Sequence, residues 1–127
     1  MQDFQLIRSY AKAQAREDEK PVDVSAIARE SGIKYRVFIT RNLWDGYIDP
    51  SPQLQHENTT DRLRDTLNNL VETIESTKNP GTCIFFKVSY EMYFDGQRSI
   101  QVVKLKSILR PGYGSIPVIT VMLPNED

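Results

Sequence analysis

The residues of this 127-residue chain best suited to chemistry lie between Asp23 and Trp44. A short apolar segment there ends at a glycine and is followed at once by basic and aromatic side chains. Cationic and hydroxyl groups spaced along a helix suit phosphate or partner contacts, and two helices joined at a glycine are typical of a helix-turn-helix. The candidate residues for contact with a nucleic acid or another partner are Lys34, Tyr35, Arg36, Thr40 and Arg41.

The spacing within this segment fits the helix-turn-helix in part. Ala28 is the small residue that permits close packing, Gly32 supplies the turn and Ile33 follows as the expected apolar residue. Phe38 and Arg41 fall where smaller or apolar side chains are expected, so the second helix is out of phase. Two packing helices joined through a glycine cap are the favoured alternative, because the net charge of −1 leaves no basic surplus.

Candidates for catalysis are few. The single histidine, His56, lies in a polar, proline-rich stretch, and the single cysteine, Cys83, opens an apolar run where a buried thiol is expected. One cysteine excludes an internal disulfide and a multi-cysteine metal site. The sequence contains no nucleotide-binding, metalloprotease or hydrolase motif. We therefore expect no catalytic residue, no metal ligand and no cofactor, and an enzyme is not favoured.

A second candidate surface is aromatic. Tyr93 and Phe94 stand beside Asp95-Gly96, where a hairpin tip leaves them hard to bury. Such a tip docks on the helices of the same chain, or it is a docking surface for a protein partner or a second copy of the chain. The sequence has neither a secretory leader nor an apolar run of about 20 residues, so a cytoplasmic location without membrane contact is expected.

The first part of the chain has helical periodicity. Apolar residues at helical spacing predict a helix over 4–17, and Asp23 or Ser25 is the expected cap of a second helix that ends at Gly32. A third helix is predicted over 35–46. The clearest one is 60–78, whose apolar stripe consists of Leu63, Leu67, Leu70, Val71 and Ile74.

After Gly81 the hydrophobic period changes to two. Asp95-Gly96 predicts a type I′ turn, because both central positions of that turn require positive φ. This turn pairs Val88 with Val103 on the apolar face and places Lys87 opposite Lys104 on the other face. A third strand is predicted over 116–123.

These elements predict an α+β fold with three or four N-terminal helices packed on a three-stranded antiparallel β-meander, the helix 60–78 lying across one face. Residues 1–127 are expected to form a single domain, with 1–80 mainly helical and 81–127 mainly β. Within this fold the first functional hypothesis is a non-enzymatic binding or interaction module. DNA binding through residues 23–45 is the alternative.

The sequence also resembles a family of small uncharacterised bacterial proteins often found on plasmids and mobile elements. The resemblance rests on Asp3–Asp18, on Val22–Gly32 with Val37, Thr40 and Trp44, and on the ending Pro117–Asp127. It spans nearly the whole chain and implies one intact domain. It implies no activity, cofactor or catalytic residue, and an accessory role in a mobile element follows only from that genomic setting.

Overall fold

The computed structural model describes residues 20–49, 59–112, 114 and 116–126, without the side chains of Tyr93 and Phe94. The predicted helix over 4–17 and His56 lie outside these residues. In chain order the elements are β1 (Val22–Asp23), α1 (Ser25–Glu30), β2 (Arg36–Ile39), α2 (Arg41–Leu43) with a π-helical turn (Trp44–Ile48), α3 (Thr59–Ser76), β3 (Cys83–Phe94), β4 (Gln97–Pro111) and β5 (Pro117–Met122).

The β3–β4 hairpin has the predicted register. Val88 lies opposite Val103, and Lys87 lies opposite Lys104 without an intervening bulge. Asp95 and Gly96 have φ of 53° and 78°, as a type I′ turn requires. The Lys104 Nζ lies 4.7 Å from the ring centroid of Phe85, and this cation–π contact offsets part of the repulsion between the paired lysines.

The sheet differs from the predicted three-stranded meander. It has five strands in the order β1-β2-β5-β4-β3, and it is mixed. The segment predicted as a helix over 35–46 contributes β2, which pairs antiparallel with β1 and parallel with β5. The predicted fold class is therefore wrong in its sheet and in its third helix, since a strand occupies the first half of that segment.

The side chains of β2 show why the helix was the wrong choice. Val37 and Ile39 are fully buried, while Arg36 is exposed, so burial alternates with a period of two. Four residues are too few to separate this period from a helical one. Pairing with β5 makes this segment a strand, because Val37 lies opposite Ile119, far downstream in the chain.

The start of α1 is stabilised by Asp23, although Val24 occupies the N-cap position itself. The Asp23 carboxylate accepts hydrogen bonds from the Ser25 backbone N–H at 3.0 Å and from the Ser25 hydroxyl at 2.6 Å. These bonds, and then the nearby Arg36 guanidinium, lower the pKa of Asp23. The predicted cap at Asp23 or Ser25 is therefore wrong, since Val24 is the N-cap without a side-chain cap hydrogen bond and Ser25 is the first helical residue.

Helix α1 is connected to β2 at both ends, by a hydrogen bond at its beginning and by the chain itself after its end. The Val37 N–H donates to the Ser25 Oγ at 3.0 Å, which ties the beginning of the helix to the strand. Gly32 follows the helix with a φ of +99°, a conformation that suits glycine. The predicted glycine stop is thus present, and the chain turns there toward the sheet.

Helix α3 supplies one wall of the core. Leu63, Leu67 and Leu70 are buried, as the predicted stripe requires, and α3 packs against β3. Ala28 of α1, Leu43 of α2 and residues of all three long strands enter the same apolar cluster. Among the described residues, no helix is long and apolar enough to cross a membrane.

Gly112, in the β4–β5 connection, permits a close approach of two backbone segments. A Cβ at this position would lie 2.5 Å from Val118 Cγ2 and 2.7 Å from the Ile116 carbonyl oxygen. We expect Gly112→Ala to lower the free energy of unfolding by roughly 1–3 kcal/mol, because backbone must move to relieve the overlap. Urea unfolding measures the loss. Gly46→Ala is the matched control, since its Cβ enters open space. Equal effects of the two substitutions would contradict this packing argument.

Candidate functional site

The structure separates the five candidate contact residues of the predicted recognition helix. Lys34 and Tyr35 lie in the connection between α1 and β2, and Arg36 is the first residue of β2. Thr40 caps α2, and Arg41 is its first residue. Because the intervening residues form a strand, these side chains do not share one helix face. Their separation removes the recognition helix but does not decide whether the chain binds DNA.

Three of these residues have partners within the fold. Arg36 forms an ion pair with Asp23 at 2.9 Å, at the edge of the sheet. The Thr40 Oγ1 donates to the Glu126 carboxylate at 2.7 Å and so joins the start of α2 to the end of the chain. The Arg41 Nε donates to a backbone carbonyl just before β1 at 3.2 Å. These contacts give the three residues a structural role within the fold.

The other two residues line a cleft between the α1–β2 connection and the C-terminal half of α3. Its volume is about 310 Å³, the low end for a small-molecule site. Tyr35, 43% exposed, also borders a neighbouring cleft of about 160 Å³. The lining of the larger cleft is half aliphatic, which suits an inserted apolar group. It consists of Gly32, Ile33, Lys34, Tyr35, Val71, Ile74, Glu75 and Ile119.

A larger candidate surface lies on the face of the β3–β4 hairpin opposite the core. Successive side chains in a strand point to opposite faces, and Phe86, Val88 and Leu105 point into the core. Their neighbours therefore point outward. Phe85, Ile100 and Val102 are 48%, 59% and 64% exposed on that side. Exposed apolar side chains grouped on one face mark interaction sites more often than isolated ones do.

The charged residues of β3 and β4 also lie on one face of the hairpin. Strands β3 and β4 contain five cations and one carboxylate, and every one of them is at an outward position. The carboxylate, Glu91, pairs with Arg98. Residues 81–127 have nearly balanced charge, but their other acidic residues fall in the turn and at the C-terminal end. The cations are Lys87, Arg98, Lys104, Lys106 and Arg110.

We call this surface the hairpin face and define it by Phe85, Lys87, Ile100, Val102, Lys104 and Lys106. Phe85 lies directly opposite Lys106, and Lys87 directly opposite Lys104. The Lys106 Nζ donates to the Glu126 carbonyl at 2.7 Å, while the Lys87 and Lys104 side chains are exposed. The Phe85 ring thus lies near the side chains of three lysines on two paired strands.

The remaining candidates from the sequence have different outcomes. Cys83 is exposed, so the predicted burial of its thiol is wrong. Cys83 is at an outward position of β3, like Phe85. The apolar run in the sequence did not show which of its residues would point outward. His56 and the side chains of Tyr93 and Phe94 lie outside the described residues. Within the described part of the chain, no three His, Cys, Asp or Glu side chains come together as metal ligands.

One buried polar cluster was not recognised in the sequence. Arg62 of α3 is only 2% exposed. Its guanidinium donates to the carbonyl oxygens of Tyr47 at 2.8 Å and Glu91 at 3.0 Å and lies over the Tyr90 ring. The helical pattern places Arg62 beside the apolar stripe, but only the folded chain brings the two carbonyls to it. This cluster binds the backbone of β3 to α3 and so supports the strand on which part of the hairpin face lies.

The hydroxyl of Tyr90 continues this cluster. It lies 2.6 Å from the Thr66 Oγ1, and the Thr66 hydroxyl donates to the Arg62 carbonyl at 2.9 Å. Either hydroxyl can be the donor in the hydrogen bond between Thr66 and Tyr90. Burial raises the pKa of Tyr90 to about 12, while the Thr66 hydrogen bond and the Arg62 charge act in the opposite direction.

The family resemblance rests on residues at both ends of the chain. Most of its N-terminal part lies outside the described residues, whereas its C-terminal part includes β5 (Pro117–Met122). The chain itself shows no significant match to any protein-family model, curated protein or solved structure, and the resemblance stays a prediction.

Proposed function

We propose that this chain is a non-enzymatic binding module and that the hairpin face is its binding surface. The observation that carries the proposal is the grouping of Phe85, Ile100 and Val102, each about half exposed or more, among the outward cations of β3 and β4. Solvent contact at such apolar surface is unfavourable, and a ligand that covers it gains that free energy.

The hairpin face is favoured over the cleft at Tyr35 for two reasons. The cleft encloses about 310 Å³, the low end for a small-molecule site. The hairpin face extends along two strands that are paired without interruption from Cys83 opposite Ile108 to Phe94 opposite Gln97. Side chains on paired strands are held more precisely than side chains on loops, which lowers the ordering cost of binding.

Three further parts of the proposal rest on the sequence alone. The non-enzymatic role rests on the lack of catalytic motifs, and a cytoplasmic location on the lack of an apolar run of about 20 residues. An accessory role in a mobile element follows from the family resemblance. The partner classes in this proposal are another protein, a second copy of the chain and DNA.

Photo-crosslinking tests the binding surface and does not require the ligand to be identified first. Photoreactive p-benzoylphenylalanine replaces Val102 on the hairpin face, Tyr35 at the cleft or Glu72 on the exposed side of α3, in the full chain within bacterial cells. We expect irradiation to yield adducts from position 102, because a bound ligand covers that residue. Sensitivity to nuclease or protease then identifies the class of ligand.

Position 72 serves as the control for random collision, since Glu72 is exposed and lies off the core stripe of α3. Adducts from position 35 but not from position 102 would move the binding surface to the cleft. Equal yields from positions 102 and 72, or no adduct from any position, would contradict the proposal.

A further inference from the structure

We propose that the hairpin face binds single-stranded nucleic acid. This inference rests on the proposed function and names the class of its ligand. It combines three observations that belong to the same two strands: the segregation of cations, the exposed aromatic ring among them, and the uninterrupted pairing of the two backbones beneath. Each observation corresponds to a chemical feature of an unpaired polynucleotide.

The segregated cations match the phosphates. Because all five cations of β3 and β4 point outward and Glu91 is engaged by Arg98, the hairpin carries a net positive charge on one side of an otherwise acidic chain. Lys104 and Lys106 are about 6.8 Å apart along the strand, and Lys87 lies directly across from Lys104. Lysines so close together release counterions from a polyanion when they bind it.

The exposed aromatic ring matches the bases. Phe85 is 48% exposed and lies directly opposite Lys106, with the Lys104 ammonium 4.7 Å from its ring centroid. A base can stack on an aromatic side chain while neighbouring cations hold the phosphates, as single-strand binders do on sheet surfaces. Val102 lies farther along β4, beyond the Lys87–Lys104 pair, and offers a separate apolar contact for another base.

The exposed apolar side chains separate single strands from duplexes. A duplex hides its base faces, so that the apolar side chains of the hairpin would stay uncovered against it. A peptide of acidic residues alone would satisfy the lysines but brings no aromatic ring or base to stack on Phe85. A single strand satisfies both.

Fluorescence anisotropy with labelled 20-residue oligo(dT) and oligo(rU) tests the inference on the purified full chain. We expect binding at low salt that weakens as salt rises, with a slope of about −2 in log K against log salt for three lysine contacts. The double substitution Lys87→Glu and Lys104→Glu should weaken binding at least tenfold and flatten the slope to about −0.7. Phe85→Leu keeps apolar area but loses stacking, and we expect it to weaken binding roughly fivefold or more.

The matched control is the double substitution Arg29→Glu and Lys78→Glu. It changes the net charge by the same amount at two exposed cations outside the hairpin, and we expect it to leave most of the affinity intact. Circular dichroism and urea unfolding verify that each variant is folded. If the glutamate variant unfolds, Lys87→Gln with Lys104→Gln takes its place.

Several results would overturn the inference. They are no binding by about 100 µM protein at low salt, an equal loss in the control variant, tighter binding to a 20-base-pair duplex, and equal displacement by poly-L-glutamate of similar length. The duplex result would instead support DNA binding. If oligonucleotides fail while position 102 still crosslinks to a protein, this inference is wrong and the proposed binding surface stands. If position 102 yields no adduct and no oligonucleotide binds, both fail.

Discussion

Replacing Arg62 by methionine is expected to lower the free energy of unfolding by roughly 3 kcal/mol, which is a large part of the stability of a domain of this size. Methionine fills a similar volume but donates no hydrogen bond. The carbonyls of Tyr47 and Glu91 would then be buried without this donor, and each such group costs about 1–3 kcal/mol. Urea unfolding followed by circular dichroism measures the loss.

Arg64→Met is the matched control for this substitution. Arg64 lies on the same helix, is 46% exposed and pairs with Glu30, and an exposed ion pair contributes about 0–1 kcal/mol. Arg62→Lys should fall between wild type and Arg62→Met, because an ammonium keeps the charge but cannot reach both carbonyls in the fixed fork of a guanidinium. If Arg62→Met costs no more than Arg64→Met, the Arg62 cluster is not a determinant of stability.

A local readout separates this explanation from a general loss of packing. Because Arg62 binds the backbone of β3 at Glu91, its removal should speed amide hydrogen exchange near Glu91 more than at Ile119 in β5. It should also weaken binding at the hairpin face, which that backbone supports. Uniform acceleration across the sheet would contradict the local role of Arg62.

Stability is expected to fall by roughly 2–3 kcal/mol between pH 10 and pH 12 through the titration of Tyr90 alone. Burial raises the pKa of this phenol from 10.0 to about 12, so the folded state disfavours its ionised form. The resulting stabilisation is fully present below the unfolded pKa of 10 and disappears as the pH rises through the folded pKa. Each pKa unit corresponds to about 1.4 kcal/mol.

Comparison with Tyr90→Phe isolates this contribution from other groups that titrate in alkali. At pH 8 the phenylalanine variant should be less stable by about 1 kcal/mol, because it lacks the bond to Thr66. At pH 12 that order should reverse, since only the wild-type chain must bury an ionising phenol. Urea unfolding at pH 8, 10, 11 and 12 measures both curves. Parallel curves would contradict a raised pKa of Tyr90.

The hairpin and α3 were predictable because their signals are local. Asp95-Gly96 specifies a turn through its own backbone angles, and that turn alone determines that Val88 meets Val103. The apolar stripe that includes Leu63 and Leu67 likewise needs no partner to be recognised. In both cases neighbouring residues carry the whole argument, and the structure confirms them.

Strand β2 and Arg62 were not predictable because distant residues decide them. The four residues of β2 are a strand because β1 and β5 hydrogen-bond to them from both sides, and β5 lies near the other end of the chain. Arg62 is buried because Tyr47 and Glu91 bring carbonyls to it from two separate segments. No local pattern contains that information.

The candidate site divides in the same way. The basic and aromatic run from Lys34 to Arg41 is visible in the sequence, but the fold distributes its members among a cleft, a strand edge and a helix cap. The charge balance of residues 81–127 concealed the hairpin face, because composition counts charges without regard to the direction in which they point. The alternation of faces along each strand, combined with the register of the hairpin, shows on which face each charge lies.

By itself, the sequence determined an α+β chain with one long amphipathic helix and one hairpin of defined register, since these depend on local periodicity and turn geometry. The tertiary structure decided the five-stranded mixed sheet, the burial of Arg62 and Tyr90, and which face of the hairpin remains exposed. Pairing, burial and desolvation depend on contacts between residues far apart in the chain, and those contacts exist only in the folded molecule.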